Sequence, residues 1–368
     1  MHTITFYPLG NADTCLFELA NGKLLLFDYA DVRDPKDKED KRIDLHASLK
    51  EKLQALDRSN MDVVAFTHAD DDHIHAMSEF FYLEHAKKYQ GDERIRIDEL
   101  WVPASVIIEE GAEDEAKILR AEARYRLKQG EGIRVFSRPE RLAKWLETSG
   151  IKLEDRRHLI TDAGQLVPGI SIKSDGLELF VHSPYAKRSE ESIEDRNEGA
   201  LIFHATFVVD GVDTRMFIIG DTIHEILSEV VSITKAKKRE ERLQWDIFDI
   251  PHHCSYLALS SEKGKKITMP VPDVKWLLDQ GNDRCLMISS SKIITNEDTT
   301  QPPHMQAAEC YRTAANSSEG EFIVTMEHPN TSNPEPIVIT IGKEGPTLLK
   351  RQHGPYIIAS GQSAPRAG

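Results

Sequence analysis

Residues 66–77, "FTHADDDHIHAM", place three aspartates and three histidines between His68 and His75. The stretch before them, residues 61–67, is apolar and rich in β-branched side chains, which predicts a buried strand. After them, apolar residues recur at roughly helical spacing over residues 77–83. The polar cluster is therefore expected at the carboxyl end of a strand, where open sheets bind ligands. Carboxylates crowded into one loop repel each other unless solvent or a cation separates them.

The composition is typical of a soluble globular protein. The 368 residues are 40% hydrophobic and 29% charged, which suits one large or two ordinary domains. No apolar run approaches the ~20 residues that cross a bilayer, so no membrane partner is expected. The first residues contain no basic segment of a secretory signal. The four cysteines form no C-x-x-C pair, which favours reduced thiols and a cytoplasmic location.

The charge is strongly acidic. With 46 Lys and Arg against 61 Asp and Glu, the net charge is −15. This weighs against a broad surface that coats nucleic acid. It leaves open an enzyme that binds a phosphate backbone through a local groove, and bound metal would neutralise part of the negative charge.

Apolar periodicity predicts strands and helices that are interleaved along the chain. Strands are predicted at residues 2–8, 13–20, 23–28, 61–67, 97–103, 246–250, 284–289, 321–326 and 335–341, and helices at 113–129, 138–148, 222–243 and 304–316. Asp44 is expected to cap a helix whose apolar stripe contains Leu45, Leu49, Leu53 and Leu56. Asp210-Gly211 predicts a hairpin turn. Strand-rich halves interleaved with helices predict two packed sheets with helices outside them.

Three of the apolar strands are followed abruptly by Asp or His. Besides the cluster after residue 67, Asp221 follows "FIIG", and His252 and His253 follow "IFDIP". Taken singly, these residues could be a solvated turn, a helix N-cap and surface histidines. Their shared position at strand ends, and the preference of borderline divalent metals for these ligands, predict a metal site.

With these motifs the chain resembles the metallo-β-lactamase-fold hydrolases, whose signature is H-x-H-x-D-H followed by later Asp and His ligands. Within that group it resembles the hydrolase domain of the bacterial competence (DNA-uptake) channel protein, where Asp replaces the second His. The matching stretches are "PLGNADTCLFEL", "THADDDH", "FVHSPY", "RNEGALIF", "FIIGD" and "PHHCS". The resemblance implies an α/β fold, a four-layer αββα sandwich. We expect this domain to span residues 1–345, with a helical insertion at 105–150 and a C-terminal tail at 346–368.

The resemblance also implies a site for one or two divalent metal ions. The implied ligands are His68 and Asp70 at the first ion, Asp72, His73 and His252 at the second ion, and Asp221 as a bridge between them. Zinc is expected, and manganese or magnesium could compete with it at the first ion. Asp72 is also assigned a catalytic role, and His253 or His304 would protonate the leaving oxygen.

Three features depart from the family pattern. The usual Gly-Gly after the first motif is His75-Ala76, and the usual "HHGS" is "HHCS", with Cys254 in the glycine position. A third histidine for the first ion has no clear equivalent, and His182 and His204 are the candidates.

The leading interpretation is a cytoplasmic metal-dependent hydrolase of phosphodiester bonds, a nuclease that cleaves DNA or RNA through a metal-bound hydroxide. Lys263, Lys265 and Lys266 follow the "HHCS" loop and are candidates for binding substrate phosphate. Three alternatives remain open. The protein could be a phosphodiesterase of small molecules, a di-iron oxidoreductase of the same fold, or a metal-containing effector or regulatory subunit of a larger complex. The di-iron family uses Glu at the second ligand position, where this chain has Asp70.

Overall fold

The computed structural model describes residues 1–187 and 196–349. Within these residues, nine strands form the first sheet. They are β1 (His2–Phe6), β2 (Cys15–Glu18), β3 (Leu24–Phe27), β4 (Asn60–Ala65), β5 (Arg96–Pro103), β6 (Ile133–Phe136), β7 (Ile160–Thr161), β14 (Ile337–Gly342) and β15 (Gly345–Leu348). Their order is β15-β14-β1-β2-β3-β4-β5-β6-β7. Pairing is antiparallel from β15 to β3 and parallel from β3 to β7.

The second sheet has six strands in the described part of the chain. They are β8 (Leu177–Ser183), β9 (Ile202–Val209), β10 (Val212–Ile219), β11 (Trp245–Ile250), β12 (Gly281–Ser289) and β13 (Glu321–Val324). Their order is β13-β12-β11-β10-β9-β8. The strands from β10 to β13 are parallel, and β8, β9 and β10 pair antiparallel. Both sheets are thus mixed.

Helices flank the two sheets. They are α1 (Leu45–Ala55), α2 (Asp71–Ile74), α3 (Met77–Phe80), α4 (Ala104–Ile108), α5 (Asp114–Gln129), α6 (Glu140–Thr148), α7 (Ile172–Asp175), α8 (His224–Ala236), α9 (Pro272–Leu278) and α10 (Met305–Ser317). Helices α1 to α6 pack against the first sheet, and α8, α9 and α10 pack against the second sheet. The layers therefore run α, β, β, α, which confirms the predicted fold class.

The core between the sheets follows from the two-residue period of the strands. On β4, Val63 and Ala65 face the second sheet, whereas Val64 lies under the helices. Trp101 of β5 reaches across to Phe203 of β9, with ring centroids 5.9 Å apart. These contacts set the distance between the two sheets. The distance between the loops at the edges of the sheets follows from it.

Two local predictions are confirmed. The Asp44 side chain caps α1, because it accepts a hydrogen bond from the Ala47 N–H at 2.8 Å. Leu45, Leu49 and Leu53 are the buried stripe of that helix. At residues 210–211, both φ angles are positive in the turn that joins β9 to β10.

Several boundaries differ from the sequence prediction. The insertion at 105–150 is not purely helical, because β6 pairs parallel with β5 and extends the first sheet. The domain does not end at residue 345, since β15 pairs with β14. Leu56 follows α1 and is 38% exposed, so it does not continue the buried stripe. The long helix predicted at 222–243 ends at Ala236.

Two further observations concern the class of protein. No helix among the described residues combines the length and apolarity that crossing a membrane would require. All four cysteines lie in the described ranges, and each is a buried thiol outside any disulfide.

Candidate metal centre

The predicted site residues lie at the carboxyl ends of strands in both sheets. The segment His68–His73 follows β4, Asp221 follows β10, and His252 and His253 follow β11. Asp28, which was not predicted as a site residue, directly follows β3. Because neighbouring parallel strands end at the same edge of a sheet, these loops meet where the two sheets face each other. Gly220 permits one close approach, since a Cβ atom there would lie 2.6 Å from the Thr67 side chain.

Two groups of side chains bring metal-ligating atoms within 4.8 Å of one another. They are Asp13, His73, Asp221 and His253 in one group, and His68, Asp72 and His73 in the other. His73 Nε2 lies 3.3 Å from Asp221 Oδ1 and 3.5 Å from Asp13 Oδ2. His253 Nε2 lies 3.1 Å from Asp72 Oδ2. His73 belongs to both groups and is the centre of the arrangement.

Several of these atoms are suited to a cation. Among the described residues, Nε2 of His68, Nε2 of His73 and Oδ1 of Asp221 are buried and form no hydrogen bond. Buried polar atoms are normally paired, because an unpaired one loses its hydration without compensation. Imidazole nitrogens and carboxylate oxygens are zinc ligands, and a bound divalent ion would satisfy all three atoms. The residues present therefore fit a metal.

Asp28 and Thr67 determine which ring nitrogen carries the proton in His73 and in His68. Asp28 Oδ2 lies 2.8 Å from His73 Nδ1 and accepts a hydrogen bond from the Thr67 hydroxyl at 2.7 Å. Since an ionised carboxylate only accepts, His73 Nδ1 must carry a proton. The Thr67 hydroxyl, having donated to Asp28, can accept from His68 Nδ1 at 3.1 Å. Nε2 of His68 and Nε2 of His73 therefore face the cluster. Carboxylate partners orient metal-binding histidines in the same way.

The carboxylates of the cluster stabilise protonated imidazoles in the metal-free protein. Burial opposes the charged form of His253, but Asp221 and Asp13 outweigh it and raise its pKa to about 10. His253 Nδ1 also donates to the Ser290 carbonyl at 2.8 Å. Burial likewise opposes charge on His73, and Asp28 and Asp221 raise its pKa well above the usual value. Metal ligands must be deprotonated, so a cation would displace these protons.

Asp13 is a member of the cluster that the sequence analysis missed. It lies between β1 and β2, and its backbone N–H donates to the Asp72 carbonyl at 3.0 Å. Burial raises its pKa, and the positive charges of His253 and His73 only partly oppose this effect. The available signal was an acidic residue in the quoted stretch "PLGNADTCLFEL", next to a buried strand. Asp249 of β11 is also buried, and burial and the charge of Asp13 raise its pKa well above the usual value.

Asp70, predicted as a ligand of the first ion, lies outside both groups. Its Oδ2 atom is 3.5 Å from His68 Nε2, and its Oδ1 atom accepts a hydrogen bond from Arg196 Nη1 at 2.9 Å. Burial would raise the pKa of Asp70, but His68 and Arg196 hold it below the usual range. Asp70 is therefore ionised, and it already pairs with a side-chain cation.

Both histidines of the "HHCS" loop lie near Asp221, and their predicted roles as ligand and proton donor stay predictions. His252, the predicted ligand, lies beside the groups with Nε2 3.7 Å from Asp221 Oδ2. His253, the predicted proton donor, lies inside the first group. His252, His253 and Cys254 all have positive φ angles, of 53°, 49° and 65°. Such strained backbone occurs where surrounding structure imposes it, often at functional sites.

His304 immediately precedes α10 and lies against the "HHCS" loop. Its N–H donates to the Cys254 carbonyl at 3.1 Å, and its ring packs edge-on against Tyr256. Burial lowers its pKa, and Nε2 is a buried atom without a hydrogen bond in the described chain. It is thus close to the centre but outside both ligand groups.

The predicted phosphate-binding lysines do not form one uniform patch. Lys263 Nζ lies 2.5 Å from Asp298 Oδ1 and donates to the Thr299 carbonyl at 2.9 Å. Lys265 and Lys266 are exposed. A phosphate would therefore meet the charges of Lys265 and Lys266 more readily than that of Lys263.

The remaining histidine candidates for the first ion are excluded. His182 and His204 lie on the face of the second sheet that is covered by α8, opposite the core between the sheets. They contact the carbonyls of Arg242 and Gln244 at 3.0 and 2.9 Å. Burial lowers their pKa values to about 4 and about 3. Neither can be the third ligand, because the sheet separates them from the cluster.

An acidic groove of about 550 Å³ opens beside the His68–His73 loop. Its lining includes Asp71, His75, Glu79, Glu113, Asp114, Glu115 and Arg196. Asp71 is exposed and pairs with His75 at 2.9 Å, so both residues face the groove instead of the ligand groups.

The comparisons with known proteins give distant structural likenesses. No protein-family model matches the chain, and a search of curated proteins finds no match. Among solved structures, yeast PDE1 is 10% identical with a TM-score of 0.42, covering 88% of this chain and 98% of that one. A class B3 di-zinc metallo-β-lactamase, LRA-12 from an Alaskan soil metagenome, is 14% identical with a TM-score of 0.32, covering 86% and 91%. A diphosphatase of the PhnP family is 9% identical with a TM-score of 0.30, covering 79% and 87%. Because these identities and TM-scores are low, the fold and the site are assigned from the strand order and from the geometry of the cluster.

Proposed function

We propose that the protein is a metal-dependent hydrolase of phosphodiester bonds, with DNA or RNA as the preferred substrate. The observation that carries the proposal is the set of buried atoms without hydrogen bonds, Nε2 of His68, Nε2 of His73 and Oδ1 of Asp221, which converge at the strand ends. Such a set is costly unless positive charge, from a metal ion or from protons on the imidazoles, compensates it.

The proposed ligands are His73, Asp221, Asp72 and a histidine of the "HHCS" loop, with His68 and Asp13 beside them. When bound, the metal would activate a water molecule and offset negative charge on a phosphate group, which requires no protein nucleophile. Asp28 holds the His73 ring in one orientation and keeps the proton on Nδ1.

His304 is our choice for the proton-transfer group. It lies outside both ligand groups, so a bound cation would not occupy its nitrogen atoms. Its lowered pKa keeps the ring neutral at pH 7, where imidazole accepts a proton more readily than it donates one. His304 is therefore better suited to accept a proton than to protonate the leaving group.

The choice of nucleic acid rests on the loop after "HHCS" and on the resemblance to the DNA-uptake proteins, which is an analogy of fold. Lys265 and Lys266 are exposed on this loop and would contact backbone phosphates. A small phosphodiester is the second candidate. The carboxylates of the acidic groove and the net charge of −15 would repel its single negative charge less than the many charges of a long polyanion.

The test compares three substrates with metal-loaded protein: single-stranded DNA, RNA and a small bis-aryl phosphodiester. We expect Asp72→Ala to abolish all three activities. Replacing Lys263, Lys265 and Lys266 together with Ala should weaken nucleic-acid cleavage and flatten its salt dependence, with little effect on the small ester.

Each outcome has a distinct meaning. Hydrolysis of the small ester without cleavage of DNA or RNA would favour the second candidate. A metal-loaded protein that is inert toward every phosphodiester would refute the enzyme proposal and return attention to a regulatory role in a larger complex.

A further inference from the structure

Arg196 is fixed beside the cluster by four hydrogen bonds. Nε and Nη2 of its guanidinium donate to the two carboxylate oxygens of Glu109, at 3.1 and 2.6 Å. Nη1 donates to Asp70 Oδ1 at 2.9 Å and to the Ala69 carbonyl at 2.8 Å. Paired, parallel hydrogen bonds of this kind hold guanidinium in a defined orientation.

This arrangement places a permanent positive charge at one of the predicted ligands. Arginine stays protonated in proteins, so Asp70 keeps a cationic partner, which it shares with Glu109, whether or not a metal is bound. A cation coordinated by Asp70 would lie within a few ångströms of the guanidinium and be repelled by it. The repulsion would act most strongly on an ion at Asp70, because Arg196 contacts Asp70 but no member of the group of Asp13, His73, Asp221 and His253.

The ligands available for that ion are also few. His182 and His204 are separated from it by the second sheet, and the group that contains His68 is completed by Asp72 and by His73, which the other group shares. Zinc sites ordinarily have at least three protein ligands, and a repelled ion with a shared third ligand is weakly held.

We propose that Arg196 serves as a fixed internal cation in place of the first metal ion, so that the centre binds one metal ion tightly instead of two. This inference rests on the metal centre of the proposed function. Glu109 belongs to the 105–150 insertion and is the residue that positions Arg196. The insertion thereby sets the number of metal ions in the site.

The test is a metal titration that does not depend on activity. Protein freed of metal with a chelator is titrated with Mn²⁺, and free ion is measured by its electron paramagnetic resonance signal. We expect one tightly bound equivalent for the unchanged protein. Arg196→Ala and Arg196→Met remove the charge, and each should strengthen binding of a second equivalent about tenfold or more. The second variant keeps the length of the side chain if the first one folds poorly.

Two further variants distinguish the effect of removing the positive charge from the effect of loosening the packing around it. Glu109→Gln perturbs the clamp but keeps the guanidinium charge, so it should still bind one equivalent. Arg138→Ala removes an arginine that pairs with Asp162 elsewhere, at 3.1 Å, and should also bind one equivalent.

Other results would overturn the inference. Two equally tight equivalents in the unchanged protein, or an unchanged second equivalent in both Arg196 variants, would show that the guanidinium does not exclude an ion. A second equivalent gained by Glu109→Gln would assign the effect to packing. Absence of any bound Mn²⁺ in the unchanged protein would refute the metal centre as well, and with it the proposed function.

Discussion

Replacing Asp28 with Asn tests the arrangement of protons at the centre. The Thr67 N–H donates to Asp28 Oδ1 at 2.7 Å, so the amide oxygen of Asn should occupy that position. The amide nitrogen would then replace Oδ2 and direct its hydrogens at His73 Nδ1. A donor cannot face a protonated Nδ1, so the His73 proton would move to Nε2, the atom that faces the cation.

The expected loss can be given a magnitude. Removing the carboxylate partner of a metal-binding histidine typically lowers metal affinity about 10- to 100-fold, or about 1.4–2.8 kcal/mol. The metal-free protein should also become less stable by roughly 1.5–3 kcal/mol, because buried hydrogen bonds to a charged group are lost. The first effect changes the affinity, whereas the second changes the unfolding temperature.

The assay is Mn²⁺ titration of the Asp28→Asn variant beside the unchanged protein. Asp62→Asn is a matched control, because Asp62 accepts the Leu24 N–H at 2.8 Å and pairs with Arg58, away from the cluster. The control should keep its metal affinity. An Asp28→Asn variant that binds Mn²⁺ as tightly as the control would refute the assigned tautomer of His73 and the role of Asp28.

Three further predictions follow from the site. Asp72→Ala should greatly weaken Mn²⁺ binding, whereas Asp71→Ala should leave it unchanged in the same titration, because the Asp71 side chain is 72% exposed and pairs with His75. In metal-free protein, the raised pKa of His253 should stabilise the fold fully below pH ~6.5 and lose this effect as pH rises to about 10, which chemical denaturation at several pH values would detect. Ala76→Gly should raise the free energy of unfolding by roughly 1 kcal/mol in the same assay, since Ala76 has a φ of 57° that glycine adopts without strain; an unchanged or lower value would contradict this.

The parts of the site that the sequence predicted are those encoded by local pattern. An apolar strand followed abruptly by Asp or His is visible in about ten residues, and parallel pairing brings such strand ends together. His73 and Asp221 were found in this way, and their atoms lie 3.3 Å apart. The capped helix and its buried stripe were predictable for the same reason, because each depends on neighbours within a few turns.

The parts that were missed depend on contacts between distant segments. Arg196 and Asp70 are separated by 126 residues, and nothing local to either one indicates their ion pair. Asp13 joins the cluster because the turn after β1 lies beside the β4 loop, a consequence of strand order. The choice between His252 and His253 depends on positive φ angles in the loop, which are uncommon for residues other than glycine. Sequence identifies the adjacent histidines but not the direction of each ring.

The charge at the centre of the cluster links metal binding to proton release. Asp221 and Asp249 are buried and Asp13 is half-buried beside them, and carboxylates in that position cannot all be ionised without compensation. In the metal-free protein the compensation comes from protons, since the pKa values of His73 and His253 are raised. A divalent cation would supply the same charge at the same atoms, so it must displace protons to bind. Metal affinity therefore depends on pH, because a metal ion and protons compete for the same atoms of the folded site.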